Sequence, residues 1–441
     1  MSAILTKKMR VHNAMQFIEA LSEAANNNFY VAIGRTDPWV EGDPSPPTPT
    51  ASEANTTFDY WRDVIALKRL SSTDLSHVIA RNNWTANTVF AQYDHRSANL
   101  YSQTFFVLTS SFGVYKCLFN NGGANSTVEP TGTGNTVITT GDSYKWKYMY
   151  TVSTTDALKF LTNSFMPVKT LAADDSTTQW AVQQYAATSN GALDVIVVTA
   201  GGTNYDPATT TVTITGDGSA AVVNSSSFTI TSNAVTAITP STRGANYSNA
   251  VVTIASAGTG AGANAVAIIP PFGYHGSDAL EELGANYLMI NCQLQGSENN
   301  AITVNNNYRR IMLIRDPKLA SNGSLATGSV YRQTLNLTVN TATGNFTTDE
   351  AITGGTSGAA AKLVDWNATG NDNVARLVAV SKPFANGEVI TGGTSGVTAT
   401  VIAISQPEIQ PFSGDVLYVE HRTPIARADD QTESLKVVVQ F

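Results

Sequence analysis

The chain has 441 residues, 14% of them charged, with a formal net charge of −8 and a pI near 5.2. An acidic chain without a lysine or arginine cluster is a poor match for a phosphate backbone, which excludes nucleic acid as a dedicated partner. Its two cysteines, Cys117 and Cys292, fit neither a disulfide scaffold nor a zinc site of about four ligands and read as buried free thiols.

Abundant Gly, Thr, Ser and Asn favour short strands and turns over long surface helices. The expected fold is mainly β with a few helices, and the length calls for several domains. No signal peptide is visible, and no apolar run approaches the roughly 18 residues of a membrane span. These features predict a soluble protein made inside the cell, without membrane insertion.

In chain order, VHNAMQFIEALSEA repeats Val11, Ala14, Met15, Ile18 and Leu21 at helical spacing, with Asn26–Asn28 as its stop. FYVAIGR (29–35) reads as a strand, and EGDPSPPTPTASEA (41–54) as an extended, proline-stiffened loop. DLSHVIAR (74–81) reads as a second short helix with Thr73 or Asp74 as its N-cap. SQTFFVL, GVYKCLF and YKWKYMYTV follow as strands.

Two internal repeats come next. GGTNY (201–205) returns as RGANY (243–247), each followed by a TVTI or VVTI strand. FTTDEAITGGTSG, from Phe346, returns as FANGEVITGGTSG, from Phe384. Its glycines demand tight turns. Each unit is too small to bury a core alone, so the second pair should pack as one β module. The expected layout is a sheet or sandwich framework (1–190, 270–339 and 407–441) carrying two inserted modules, 191–269 and 340–406.

At the end of the chain, VLYVEHR (416–422) is a strand candidate, and Pro424 marks an edge or a bend. Asp429-Asp430 supplies a turn before SLKVVVQF, whose Leu435, Val437, Val439 and Phe441 share one side of a pleated strand.

Chemistry-bearing residues are scattered. None of the five histidines (His12, His77, His95, His275, His421) stands in a metal-ligand spacing. Asp94 and His95 are adjacent, which on a strand sends them to opposite faces. GTGAGA (258–263) follows a repeat strand with no helix behind it and reads as a turn rather than a phosphate cradle. A glycosidase would need two carboxylates about one cleft. Asp217, Asp365 and Asp372 sit in turn-rich sequence as solvated residues, and Trp366 in the second module is a candidate to stack on a sugar, with core or interface packing the commoner role for such a residue. No catalytic residue, cofactor or metal is indicated.

The framework motifs VAIGRTDPW (31–39), HVIARNNW (77–84), GVYKCLF (113–119), GDSYKWKYMYTV (141–152) and YRRIMLIRDP (308–317), with GDVLYVEHRTPIARADDQTESLKVVVQF (414–441), occur in order. Together they resemble the dimeric baseplate wedge proteins of T-even-type contractile-tail phages. The residues that carry the resemblance are Gly34, Arg35, Pro38, Trp39, Trp84, Tyr115, Cys117, Trp146, Tyr418, Glu420, Arg422, Pro424, Ile425, Gln431, Glu433 and the terminal Phe441. The T-even pattern lacks the two repeat regions, so this chain is similar to a cyanophage-type version with insertions.

The resemblance implies a non-enzymatic homodimer in the virion that joins other wedge proteins in the tail baseplate, with no cofactor. It also implies that Trp39, Trp84 and Trp146 are core or interface anchors. The alternative reading is a carbohydrate-binding tail adhesin whose ITGGTSG module contacts host glycans.

Overall fold

A computed structural model describes residues 3–23, 27–50, 56–298, 300–340, 342–368, 373–428 and 430–441. The protein is mainly β, with five α-helices among the described residues, and its chain divides into two compact units. Unit one comprises Met1–Ala14, Ser76–Met289 and Val438–Phe441; unit two comprises Met15–Leu75 and Ile290–Val437.

Unit two contains a five-stranded antiparallel sheet in the order Val330–Arg332, Val64–Arg69, Phe29–Gly34, Asn307–Arg315, Asp415–Ala426. FYVAIG is buried throughout because it is paired on both sides. Asp415–Ala426 lies at the sheet edge, where Pro424 costs no ladder bond. Its register against Asn307–Arg315 slips beside the proline, from Arg310↔His421 to Tyr308↔Ile425. Helix Thr56–Arg62, unforeseen from the sequence, follows the proline-rich loop and buries Tyr60 and Trp61.

The ITGGTSG repeats form a closed six-stranded barrel in unit two: Leu335–Val339, Asn373–Val378, Ala360–Asn367, Ala351–Gly354, Val389–Gly392, Thr398–Ser405. Closure leaves no open edge. The repeats meet about a pseudo-dyad, because Thr353 pairs with Thr391 while Ile352 pairs with Gly392 and Gly354 with Ile390. Glu350 of the first repeat accepts the Thr394 and Ser395 N–H groups of the second at 2.9 and 2.8 Å. Glu388 returns the contact to Thr356 and Ser357 at 3.2 and 3.0 Å. A Cβ on Gly354 or Gly392 would stand 2.6 Å from the opposing carboxylate oxygen and closer still to the Ser357 or Ser395 hydroxyl, so any side chain there would displace the glutamate from its bonds. Trp366 packs edge-on against Phe346 inside this module.

Unit one holds the sheet Phe106–Leu108, Gly113–Phe119, Lys145–Thr151, Val137–Thr139. Beside it in sequence are the eight strands from Val195–Thr203 to Ala261–Ile268. The two strands that follow the NY motifs pair with each other, Val212 opposite Ile254 and Ile214 opposite Val252. Gly202 and Gly244 both have φ of +66°. Tyr205 and Tyr247 are both buried, and their hydroxyls accept from the Ala263 and Ala221 N–H groups.

Helix Lys7–Ser22 begins earlier than its apolar spacing suggests, buries Val11 and Ala14, and leaves Met15 exposed. The expected stop at Asn26 and the turn residue Asp429 lie outside the described residues, as does Asp372. The expected helix over 74–81 is instead a strand, Leu75–Ala80, preceded by the 3-10 turn Ser72–Asp74. Leu75, Val78 and Ile79 satisfy a helical period, yet β-branched Val78-Ile79 suits a pleated surface. Pairing of Val78 with Pro167 and Ala80 with Phe165 decides the outcome. Asp74 still caps, but caps the short turn, accepting the Ser71 N–H at 2.9 Å.

Candidate functional site

In unit two the family-like residues converge on the turn after Phe29–Gly34. A Cβ on Gly34 would lie 2.7 Å from the Asp63 carbonyl oxygen, so the strand can bend past Asp63 only without a side chain. Arg35 takes a left-handed φ of 60°. Its guanidinium lies 4.2 Å from the Trp39 ring and donates to the Pro38 carbonyl. Trp39 is buried, donates from Nε1 to the Arg422 carbonyl at 2.8 Å and packs on the His421 ring at 4.4 Å.

Arg310 binds Asp63 at 2.5 Å, lies over Tyr60 and donates to His421 Nε2; the other imidazole nitrogen meets the Pro47 carbonyl at 2.8 Å. Arg309 holds Asp43 with two bonds of 2.7 and 2.8 Å. The proline-rich loop is thereby strapped to the framework. Burial pushes the Asp63 carboxyl up to about 6, against the pull of Arg310 and Arg35. Burial also lowers His421, with Arg310 adding to the effect and the Pro47 bond opposing it.

The last strands extend this cluster. Tyr418, Glu420 and Arg422 alternate onto one face, and Glu420 accepts from the Tyr418 hydroxyl at 2.9 Å and the Arg422 Nε at 2.5 Å. Glu433 pairs with buried Arg427 at 2.9 Å, and the Gln431 carbonyl accepts the Gly296 N–H. In unit one, Phe441 closes a reciprocal pair with buried Asn286: its N–H donates to the Asn286 carbonyl at 3.0 Å. Its own oxygen accepts from Asn286 Nδ2 at 2.9 Å. The terminal residue is therefore fixed at both its donor and its acceptor.

Also in unit one, Trp84, Tyr115, Cys117 and Trp146 meet in one cluster with Phe90, Tyr144 and Tyr148. The opposite face of the same strands carries what sequence reading missed. Lys116 and Lys147 stand directly opposite each other in the ladder, and both are fully buried.

Lys116 pairs with Glu282 and lies 4.7 Å from the Tyr93 ring; Glu282 also accepts the Gly276 N–H at 2.7 Å. Lys147 donates to the Asn135 carbonyl and sits over the rings of Tyr185 and Tyr274. Burial lowers Lys147 to about 8, against the pull of Asp194 and Glu282. Burial drives His275 well below its usual range, and Lys116 and Lys147 push in the same direction. Removing either Lys116 or Glu282 alone would leave the other as an uncompensated buried charge, so the pair ties the strand to the segment that carries Glu282.

The remaining candidates are dispersed. His95 lies in a turn, not a strand; its Nδ1 accepts from the Ile269 N–H and stands 3.8 Å from Asp94, which Arg96 engages with two bonds. Asp217 accepts the Ser248 and Asn249 N–H groups of the segment that enters the strand Ala250–Ser256, together with the Ser248 hydroxyl, and these bonds hold it down to about 2. Asp365 pairs with Arg376. Gly258–Ala263 leads into the strand Ala261–Ile268. Among the described residues, no group of three or more His, Cys, Asp or Glu could hold a metal ion, and no helix is long and apolar enough to cross a membrane. Burial raises both thiols, Cys292 to about 12.

The class these features define is a mainly β protein whose recognisable motifs are engaged in packing and strapping. Residues 3–119 match the family model Phage-Gp8, described as Gp8 of bacteriophage T4. That is a family of structural baseplate wedge proteins, and the resemblance read from the motifs is supported over this stretch. The match takes in Gly34, Arg35, Pro38, Trp39, Trp84, Tyr115 and Cys117. No curated protein matches the chain.

Proposed function

We propose that this chain is a wedge subunit of a contractile phage tail, working as a homodimer that binds other wedge proteins in the baseplate. It is assembled in the host cytoplasm and acts mechanically. Rigid-body movement between two baseplate arrangements, each favoured by its own contacts, releases sheath contraction.

The family match over 3–119 carries the reading. The packing supports it, because a part that transmits force needs stiff sheets and preformed interfaces rather than a catalytic cleft. The named residues act as anchors of the framework, and the protein is not an enzyme.

The segments 191–269 and 340–406 are insertions that decorate the framework, the second completing its barrel with the preceding strand Leu335–Val339. An insertion must leave and return at neighbouring points. Val195 and Ile268 are register partners, and the Arg332 guanidinium reaches the Gln406 carbonyl at 2.8 Å. Co-expression with the other wedge proteins of the same phage, followed by light scattering of the purified material, tests the proposal. A dimer that enters a larger stoichiometric complex is expected. A monomer that binds none of them would refute it.

A further inference from the structure

Unit one contains a half-open cavity of about 750 Å³ beside the ends of the motifs 113–119 and 141–152. One wall is framework: Phe119, the turn Asn121–Gly123 and Lys145. The other is the strand Val195–Thr203 with Ala234–Ile238 and Thr239. The two strands of the second wall share the register pair Ile238↔Ile196 and line the cavity alongside it.

The turn is preformed. Gly122 and Gly123 take φ of +67° and +86°, with nothing within 4 Å of an added Cβ. Asn120 locks them by accepting the Gly123 N–H at 3.1 Å and donating to the Phe90 carbonyl at 3.0 Å. Lys145 is the one charged residue of the lining. It is half-buried, donates to the Thr239 hydroxyl at a long 3.5 Å and feels the charge of Asp194, which is itself paired with Arg243, while no ion pair of Lys145 lies within 4 Å among the described residues.

We propose that this cavity binds an acidic oligosaccharide of two or three sugar units. Its volume lies within the roughly 300–1,000 Å³ of small-ligand sites. Its lining suits sugars: Phe119, Val197 and Ile238 offer apolar surface, while the remaining amide groups of Gln92 and Asn121 and the Thr239 hydroxyl offer hydrogen bonds. A sugar carboxylate on Lys145 would form a charge-assisted bond in a partly dehydrated place. The lining carries a single cation, Lys145, which matches one carboxylate, so a sparsely charged glycan suits the site better than a densely sulfated one. The site goes beyond the baseplate reading and does not depend on it.

The test uses the full chain, titrated with trigalacturonate and with a neutral trisaccharide by calorimetry and saturation-transfer NMR. Binding of the acidic probe, weakened by salt, is expected. Lys145→Gln should lower its affinity about tenfold or more. Ala237→Trp, which fills the cavity from an exposed position, should abolish it while circular dichroism stays unchanged. The proposal is overturned if neither saccharide binds at millimolar concentration, if the neutral one binds equally well, or if both variants bind like the parent. Binding of a short apolar peptide in place of the sugar would overturn it equally.

Discussion

The reciprocal glutamates of the barrel make the sharpest stability prediction. Glu350 accepts four bonds: Thr347 N–H at 2.7 Å and Ser395 hydroxyl at 2.8 Å on Oε1, with the Thr394 and Ser395 N–H groups on Oε2. In Glu350→Gln only one oxygen remains. If it keeps Thr394 and Ser395, the new amide faces the Thr347 N–H and orphans it, at a cost of about 1–3 kcal/mol. The surviving bonds also lose charge assistance, for a total of about 2–4 kcal/mol.

Hydrogen exchange followed by mass spectrometry reads this locally, as a loss of protection on the order of 30- to 1,000-fold. The effect should appear at residues 392–397 of the other repeat, and Glu388→Gln should expose 354–358 in return. Unchanged exchange, or deprotection confined to the mutated repeat, would refute the reciprocal lock. Acid should act in the same way. Burial pushes both carboxyls up, but the N–H groups of Ser395, Thr347 and Thr394, and of Ser357, Ala385 and Thr356, outweigh it and hold them below 4.5. The stabilisation is therefore complete above the unfolded value and is lost as pH falls through the lower folded one.

Further outcomes follow from the packing. Gly34→Ala forces a methyl against the Asp63 carbonyl and should cost about 1–3 kcal/mol, seen as an earlier denaturation midpoint; an unchanged midpoint would contradict the close approach. Lys116→Met alone should cost about 3–5 kcal/mol by stranding Glu282, and adding Glu282→Gln should recover part of the loss. A double variant as unstable as the sum would disprove the coupling. Replacing 335–405 by a short linker should leave the remainder folded, since Arg332 and Gln406 already touch. Removing only 342–404 strands Leu335–Val339 and should give an aggregating protein in light scattering.

Local patterns were legible wherever one period and one face explained a segment. FYVAIG, GVYKCLF and SLKVVVQF read correctly as strands, and ITGGTSG announced its own turns. LSHVIA did not, because an apolar run of that length satisfies both periods and only its partner strand decides. Lys116 and Lys147 were invisible as core residues, since a lysine between apolar neighbours ordinarily marks a solvated face. What buries them is Glu282 and the tyrosines of distant segments. The strap on the proline-rich loop was hidden for the same reason: Pro47 and His421 are 374 residues apart. The motif at the chain terminus was readable as a pattern, but its dependence on Asn286 was not.

Cryo-electron microscopy of intact virions tests the central claim most directly. The account predicts density for both units of this chain, present as paired copies arranged around the tail axis within the baseplate. Purified, infectious particles whose baseplate lacks the chain would contradict it.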